Sequence, residues 1–216
     1  MPRTDGGPLV IGLTGNIATG KSTVAQMLAE MGAECVDADR VAHEVMRPGT
    51  RAYFDILETF GQSIVSADGT IDRKRLGRVV FAGREALERL EAIVHPATVM
   101  SIERRILESS ADVIVIEAIK LFEADLADRC DSVWVTVCRR DQQIQRLVEH
   151  RDLSHAEARQ RVDAQRPQGE RAELADVVID NSGSLVETRQ QVVDAWDGVV
   201  RGSGGGAAEP LGSVSS

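Results

Sequence analysis

Residues 9–23, Leu-Val-Ile-Gly-Leu-Thr-Gly-Asn-Ile-Ala-Thr-Gly-Lys-Ser-Thr, contain the pattern G-x-x-x-x-G-K-S directly after an apolar run and directly before a helical pattern. In that context the pattern predicts a phosphate-binding loop. Its backbone N–H groups turn inward around a nucleotide's phosphates, and the N-terminus of the following helix adds partial positive charge. The loop residues expected to bind the nucleotide are Gly15, Asn16, Ile17, Ala18, Thr19, Gly20, Lys21, Ser22 and Thr23.

Two side chains of this loop have predicted chemical roles. Lys21 is expected to reach the β- and γ-phosphates, and the Ser22 hydroxyl is expected to coordinate Mg²⁺. An ordinary glycine-rich turn between a strand and a helix is the alternative. That alternative does not explain why one of only three lysines in the chain falls at this position.

Composition limits the classes of protein that the chain can belong to. Its 216 residues are 43% apolar, enough for one large domain or for a core with inserted subdomains. No apolar stretch approaches the roughly 20 residues of a membrane span, and Met1 to Pro8 lacks a signal-peptide profile, so we expect a cytoplasmic protein with no membrane association. The net charge of −9 argues against nucleic acid as a partner. We expect small-molecule substrates and a monomer or small homo-oligomer.

The three cysteines, Cys35, Cys130 and Cys138, show no C-x-x-C spacing and lie in or beside apolar runs. Free cysteine is among the most buried residue types, so buried thiols are predicted in preference to disulfides or metal ligands.

Five apolar, β-branched runs alternate with helix-length segments, which predicts an α/β fold with a five-stranded parallel sheet covered on both faces. The runs are Leu9–Leu13, Glu34–Val36, Val113–Ile116, Val133–Val137 and Val177–Ile179. Ligands of such sheets bind beyond the carboxyl ends of the strands. Acidic or polar residues stand at three of those ends, in Asp37-Ala-Asp39, at Glu117 and in Asp180-Asn181.

A stretch of about 70 residues without a convincing strand separates the second run from the third. It is too long for a plain loop and is read as a helical subdomain. Helical patterns cover 51–60, 72–82 and 84–93, a turn is expected at Asp68-Gly-Thr70, and His95-Pro96 is read as opening another helix through Ser109.

A second helical excursion, 141–174, is rich in arginine. Residues 139–171 hold eight arginines and six acidic residues. The capping-box signature Ser154-x-x-Glu157 begins a helix with a narrow apolar stripe, which favours a mobile lid, although a solvated helical face has the same composition. Ser184-x-x-Glu187 predicts the last helix. Residues 1–8 and 202–216 are expected to be flexible tails.

Taken together, six segments resemble dephospho-CoA kinase over about residues 9–198. They are Gly15-Asn-Ile-Ala-Thr-Gly-Lys-Ser-Thr23, Val36-Asp-Ala-Asp39, Asp68-Gly-Thr-Ile-Asp72, Leu90-Glu-Ala-Ile-Val-His-Pro96, Gln143-x-x-Arg146 and Ala175-Asp-Val-Val-Ile-Asp-Asn-Ser-Gly183. The resemblance implies a P-loop NTPase core like that of nucleoside monophosphate kinases. That core would be formed by 9–50, 110–140 and 175–198, with a helical coenzyme-A-binding insertion at 51–109 and a lid at 141–174.

The resemblance also implies the reaction. The γ-phosphoryl group of ATP passes, with Mg²⁺, to the ribose 3′-hydroxyl of dephospho-CoA, and CoA and ADP are the products. Such chemistry needs a carboxylate near the acceptor hydroxyl, because an alcohol is a poor nucleophile until its proton has somewhere to go. Asp39 matches the family's proposed base. Asp39 could equally cap the following helix, and Asp37 could assist with metal or with orientation of the substrate.

Other residues acquire roles by the same resemblance. Arg146 and Arg151 match lid positions that face the phosphates, although either arginine could be a plain surface residue. Asn181 matches the adenine-contacting turn, with an Asx turn as the alternative. His95 matches a His-Pro step at the mouth of the coenzyme A domain, where it could instead be a packed residue. Glu117 matches the acid that holds Mg²⁺ through water.

The chain departs from the family pattern at two places. Asn16 and Ala18 replace glycines that are common in the phosphate loop, which makes positive φ less accessible there. Ile119 and Lys120 replace a proline and a leucine. Lys120 could meet substrate phosphate, pair with Glu117 or point to solvent.

Two other functions compete with this interpretation. One is another small-molecule kinase of the same fold, with a nucleoside monophosphate or a sugar as acceptor. The other is a nucleotide-dependent switch or regulator. Guanine-nucleotide switches need Asn-Lys-x-Asp and Asp-x-x-Gly motifs, and the sequence contains neither in a suitable place.

Overall fold

The structure is a computed structural model that describes residues 7–151 and 153–203. Its centre is one sheet of five parallel strands in the order β2-β3-β1-β4-β5. The strands are β1 (Leu9–Gly15), β2 (Glu34–Asp37), β3 (Val113–Glu117), β4 (Ser132–Val137) and β5 (Val177–Asp180). The predicted α/β fold and all five predicted strands are confirmed.

Two apolar layers cover the sheet because successive side chains of a strand point to opposite faces. Val10 and Ile114 pack on the face with α2 and α5, whereas Ile11 and Val115 pack on the face with α1 and α9. These helices are α1 (Lys21–Glu30), α2 (Ala38–Glu44), α5 (Arg84–Glu108) and α9 (Leu185–Ser203). The central strands are therefore buried on both sides, and only their carboxyl ends open toward ligands.

The segment between β2 and β3 is helical and contains an apolar cluster apart from the two that cover the sheet. It contains α3 (Arg51–Phe60), α4 (Arg73–Val80) and the first half of α5. Asp72 is the N-cap of α4 rather than its first residue, and accepts hydrogen bonds from the backbone N–H groups of Lys74 and Arg75. The predicted turn at Asp68-Gly-Thr70 is present, with Gly69 at φ 83°.

The prediction of separate helices at 84–93 and from His95 to Ser109 is wrong. Helix α5 runs through Pro96 without a break. Proline removes one backbone hydrogen bond from a helix, but α5 is held on both sides of Pro96 by buried residues, among them Val94 and Ile102. Packing of the long helix therefore overrides the local preference for a break.

The second excursion contains α6 (Arg140–Arg151), α7 (His155–Asp163) and α8 (Gln168–Ala172). The predicted capping box at Ser154 and Glu157 is present. The narrow apolar stripe expected of the helix after Ser154 is present in α7, where Ala158 is the one buried residue, whereas α6 has a buried stripe. Ile144 and Leu147 are buried with Ala158 of α7, and this cluster packs against the phosphate loop. The excursion is therefore anchored to the core at one of its helices.

The cysteine prediction holds only in part. All three thiols are free, but Cys138 is buried, Cys130 is half-buried and Cys35 is exposed. Cys35 lies on β2, an edge strand of the sheet, where one side has no neighbouring strand to cover it. Burial raises the pKa of the Cys130 thiol to about 12.

The predicted tails fall largely outside the described residues. Within those residues, Gly202 and Ser203 belong to α9, so the helix continues slightly farther than predicted. Across 7–151 and 153–203, no helix combines the length and hydropathy that crossing a membrane requires.

Candidate active site

The phosphate loop connects β1 to α1 and depends on two left-handed residues. Gly20, the N-cap of α1, has φ 90°, and Ala18 has φ 59°. A Cβ atom on Gly20 would lie 2.6 Å from Asn181 Nδ2, so a side chain there would displace Asn181. Ala18 adopts the strained region that glycine would occupy at no cost. The loop thus keeps its conformation despite the substituted glycine.

A set of buried hydrogen bonds holds the loop from below. Thr19 Oγ1 donates to Asn16 O at 2.8 Å and lies 2.7 Å from Thr136 Oγ1 on β4. Asn181 Nδ2 donates to Thr19 O at 2.7 Å. Asn181, predicted from the sequence to contact the nucleotide's base, is buried and binds the loop in this structure. Its amide therefore links the end of β5 to the phosphate loop.

Lys21, Ser22 and Glu117 come together at the carboxyl ends of β1 and β3. Lys21 Nζ lies 2.8 Å from Glu117 Oε1, and Ser22 Oγ donates to the same oxygen at 3.2 Å. The Lys21 and Glu117 side chains are only 13% and 16% exposed. Parallel pairing of β1 with β3 places Glu117 beside Leu13, so residues separated by almost 100 positions in sequence share one site.

Ser22 and Glu117 also fit a magnesium site. Mg²⁺ prefers hard oxygen ligands and usually takes only one or two from the protein, with water and substrate phosphates as the others. A serine hydroxyl beside a carboxylate, at the open carboxyl ends of the strands, provides such a set of ligands. No cluster of three or more His, Cys, Asp or Glu side chains suited to a metal occurs in the part of the chain that the structure describes.

Asp37 ends β2, and Asp39 lies in the first turn of α2. Asp37, not Asp39, is the N-cap of α2, and its carboxylate accepts a hydrogen bond from Arg40 N at 3.0 Å. Because α2 begins at Ala38, the two side chains do not follow the alternation of an extended strand. Asp37 pairs in register with Glu117, whereas Asp39 is exposed in the first helical turn. Asp39 is thus free of the capping role.

His43 lies one helical turn after Asp39 on α2. Burial and, next, the positive charge of Arg73 lower the pKa of His43, while Asp39 and Asp37 act in the opposite direction. A lowered pKa favours the neutral imidazole at neutral pH. His43 therefore contributes little positive charge near Asp39.

A cavity of about 250 Å³ opens beside Asp39 between the core and the helical insertion. Its walls are mostly apolar and include Leu87 and Val94. His95, half-buried on α5, and Lys120 line the same cavity. Lys120 lies largely in solvent, as one of the three alternatives has it, and its ammonium pairs with Glu91 rather than with Glu117. The structure therefore brings His95 and Asp39 to one pocket.

A second cavity, of about 300 Å³, lies on the other side of the phosphate loop. Arg146 lines it and binds the loop, since its guanidinium donates to Ala18 O at 3.2 Å and to Asn181 O at 2.8 Å. Arg151 lines the same cavity and is exposed. The two arginines predicted to face the phosphates are thus at one site, with Arg146 close to the loop and Arg151 farther toward solvent.

Three glutamines that sequence reasoning missed connect the second excursion to the phosphate loop. Gln143 Nε2 donates to Ile17 O at 2.7 Å, and Gln165 Oε1 accepts from Ile17 N at 2.7 Å. Gln168 donates to Gln143 Oε1 and to Cys138 O. Gln143 belongs to the Gln143-x-x-Arg146 motif, but an uncharged side chain in a polar segment carries no signal of this role.

Arg171 on α8 is a further residue that the sequence did not single out. Its guanidinium, 13% exposed, donates to Ile119 O at 2.7 Å and to Glu123 at 2.8 Å. It is one of the eight arginines of the arginine-rich segment. The local charge therefore points to the segment but does not distinguish Arg171 from the other seven arginines. It fixes α8 against the segment that follows Glu117.

Comparison with known proteins is consistent with this geometry. The sequence profile of the family described as Dephospho-CoA kinase matches residues 9–187. The dephospho-CoA kinase of Geobacter metallireducens is 48% identical over 191 residues, covering 87% of this chain and 95% of the relative. The dephospho-CoA kinase of Carboxydothermus hydrogenoformans is 44% identical over 187 residues, covering 85% and 91%.

A solved structure extends the comparison to three dimensions. The dephospho-CoA kinase from Campylobacter jejuni superposes with a TM-score of 0.67 at 27% identity, covering 89% of this chain and 98% of that one. The match thus extends over most of this chain and nearly all of that one. With a family profile over most of its length and relatives above 40% identity, this chain belongs to the dephospho-CoA kinase family.

Proposed function

We propose that this chain transfers the γ-phosphoryl group of ATP to the ribose 3′-hydroxyl of dephospho-CoA, giving CoA and ADP in the last step of coenzyme A biosynthesis. The observation that carries the proposal is the position of the two cavities. Gly20 lines one cavity and precedes Lys21, whereas Ala118 lines the other and follows Glu117. The Lys21–Glu117 pair is thus next in sequence to residues of both cavities, and we assign the cavity at Gly20 to ATP and the cavity at Ala118 to the acceptor.

On the donor side, the phosphate loop would hold the triphosphate of ATP. Lys21 would leave Glu117 and bind the β- and γ-phosphates, because a triphosphate offers more negative charge than one carboxylate. Arg146 lies close enough to the loop to reach the transferred group, and Arg151 would approach it from the rim. Asn181 would support the loop and shape the base pocket.

Ser22 and Glu117 would hold Mg²⁺, the Ser22 hydroxyl as a ligand and the Glu117 carboxylate through water. When bound, the ion neutralises charge that develops on the phosphate oxygens. The release of Glu117 by Lys21 would make this carboxylate available for that role.

On the acceptor side, Asp39 would take the proton of the 3′-hydroxyl as that oxygen bonds to the γ-phosphorus. The bond from the γ-phosphorus to the bridging oxygen breaks, and ADP leaves with that oxygen. Asp37 and His95 would orient the acceptor. The apolar walls of the cavity suit a nucleoside base, so residues 51–109 would act as the acceptor domain. Residues 141–174 would act as the lid.

The test is a coupled assay of ADP release with purified protein, ATP and Mg²⁺. Dephospho-CoA should support turnover, whereas AMP, shikimate and gluconate should support much less. The 3′-deoxy analogue of dephospho-CoA is the matched control, because it keeps every other binding group. Mass spectrometry and phosphorus NMR should locate the new phosphate on the 3′ oxygen.

Comparable turnover with AMP or a sugar would favour another kinase of the same fold. Tight ATP binding without turnover of any acceptor would favour a regulator. Phosphorylation of the 3′-deoxy analogue would exclude the proposed position of transfer.

A further inference from the structure

Lys120 joins the segment after β3 to the helical insertion. Its Nζ atom lies 3.0 Å from Glu91 Oε1 on α5. The Lys120 and Glu91 side chains are 59% and 34% exposed, so water and dissolved ions reach both charges. An ion pair of this kind contributes little to stability and is easily exchanged for another partner.

This ion pair lies on the wall of the cavity that also contains Asp39. Among the described residues lining that cavity, Lys120 is the one lysine or arginine, whereas Asp39 and Glu91 bring carboxylates. A phosphate-bearing acceptor that enters here meets two groups of its own sign. Without Lys120, like-charge repulsion would oppose its binding.

We propose that Lys120 binds the diphosphate of the acceptor, releasing Glu91 as it does so, and makes the site selective for acceptors that carry phosphate. This inference rests on the proposed function. In dephospho-CoA the diphosphate and the 3′-hydroxyl belong to one ribose. An acceptor whose hydroxyl meets Asp39 therefore brings its diphosphate into the same cavity.

Glu91 adds to this selectivity. A diphosphate offers several charged oxygens to the ammonium, so it competes well with a single carboxylate. An acceptor without phosphate cannot displace Glu91 and gains nothing from Lys120. Selectivity of this kind has two parts. Lys120 attracts an acceptor that carries phosphate, and Glu91 stays paired with Lys120 when the acceptor carries none.

The test compares Lys120→Met with Lys74→Met. Lys74 is exposed on α4 and does not line the cavity, so it is a matched control for loss of one lysine. Lys120→Met should raise KM for dephospho-CoA about tenfold, the usual loss for one charged hydrogen bond. The values of kcat and of KM for ATP should change less than about twofold, and Lys74→Met should match wild type.

Adenosine separates phosphate binding from a structural effect, because it has the 3′-hydroxyl but no phosphate. Lys120→Met should leave kcat/KM for adenosine unchanged. Glu91→Gln should lower KM for dephospho-CoA, since Lys120 is then free. Calorimetric binding of dephospho-CoA should weaken with added salt in wild type and less so in Lys120→Met.

An equal loss with adenosine and dephospho-CoA would make Lys120 a structural residue and overturn the inference. An unchanged KM for dephospho-CoA in Lys120→Met would do the same. Absence of turnover in wild type would instead count against the proposed function. Calorimetry needs no turnover, so equal Kd values for wild type and Lys120→Met would still decide against Lys120.

Discussion

The proposed role of Asp39 as the base can be tested with one substitution. It lines the cavity that we propose for the acceptor, and the capping role belongs to Asp37. We expect Asp39→Asn to lower kcat by about 10²–10⁴-fold with little change in KM, because the amide keeps the size of the side chain but cannot take a proton. Steady-state kinetics with both substrates measures this.

Asp128→Asn, an exposed aspartate outside both cavities, is the control for Asp39. A rise in KM for Asp39→Asn with kcat preserved would make Asp39 a positioning residue. The base would then have to be sought elsewhere, first at Asp37.

Lys21 tests the donor side of the site. Lys21→Ala should reduce transfer by about 10²-fold or more, since it removes a cation from the transferring phosphates. The fold should persist, because Lys21 pairs with Glu117 at the open carboxyl ends of the strands and no apolar core side chain is changed. Melting temperature and ADP release are measured on the same sample. Retention of more than about a tenth of the activity, a change of roughly 1.4 kcal/mol in barrier, would contradict the assigned role.

Ala18 carries strain that a glycine would relieve. Its φ of 59° lies in the left-handed region, so Ala18→Gly should stabilise the fold by about 0.5–1 kcal/mol. Ala29→Gly is the matched control, because Ala29 is exposed within α1 and the same change there should destabilise by a similar amount. Denaturant unfolding measures the change in the free energy of unfolding for each variant, and the two changes should have opposite signs. Destabilisation by Ala18→Gly would show that its methyl contacts outweigh the strain.

Within the proposed lid, we expect the helices to respond to ligands to different extents. Helix α6 is anchored by Ile144 and Leu147 and by Gln143 on the phosphate loop, whereas Ala158 is the one buried residue within α7. We expect ATP with dephospho-CoA to slow hydrogen exchange mainly in α7 and around Arg151. Protection in α6 should already be high without ligand.

Hydrogen exchange with and without both substrates is the measurement, and α1 serves as the internal reference for overall stability. Equal exchange of α7 in the two states would remove closure from the mechanism. Large ligand-induced protection throughout α6 would show that its contacts with the phosphate loop are not stable in the free protein.

For the whole molecule, carboxylates at turns and helix starts contribute to the response to acid. Backbone hydrogen bonds from Arg75 and Thr70 lower the pKa values of Asp72 and Asp68 below 3.8. Serine hydrogen bonds, led by the Ser154 side chain for Glu157 and the Ser184 backbone for Glu187, lower those pKa values below 4.5. Each of these carboxyl groups therefore has a lower pKa in the folded state than in the unfolded state.

The sign of the effect follows from proton binding. Below pH 4.5 the unfolded chain takes up protons that the folded chain refuses, so the stability from these groups is complete above that pH and is lost as pH falls further. Melting temperature should therefore drop on acidification from pH 5 to 3. Asp72→Asn should flatten the curve. A melting temperature independent of pH would contradict this account.

The sequence by itself determined the layout of the molecule. Apolar runs predicted five parallel strands because a sheet buried on both faces needs such residues along its whole strands. The phosphate loop was recognisable because its glycines and lysine are adjacent in sequence. Capping residues at Ser154 and Ser184 were recognisable for the same reason, since a capping box spans only four residues.

Only the tertiary structure decided which of these local features meet. Strand order places Lys21 beside Glu117, and the fold of the second excursion places Gln143 and Gln165 on the phosphate loop. Helix α5 continues through Pro96 because long-range packing outweighs a local preference. The physical reason is common to all of these contacts. Each contact joins residues that are far apart in the chain. Residue spacing and secondary-structure propensity within a short stretch of sequence do not contain information about such contacts.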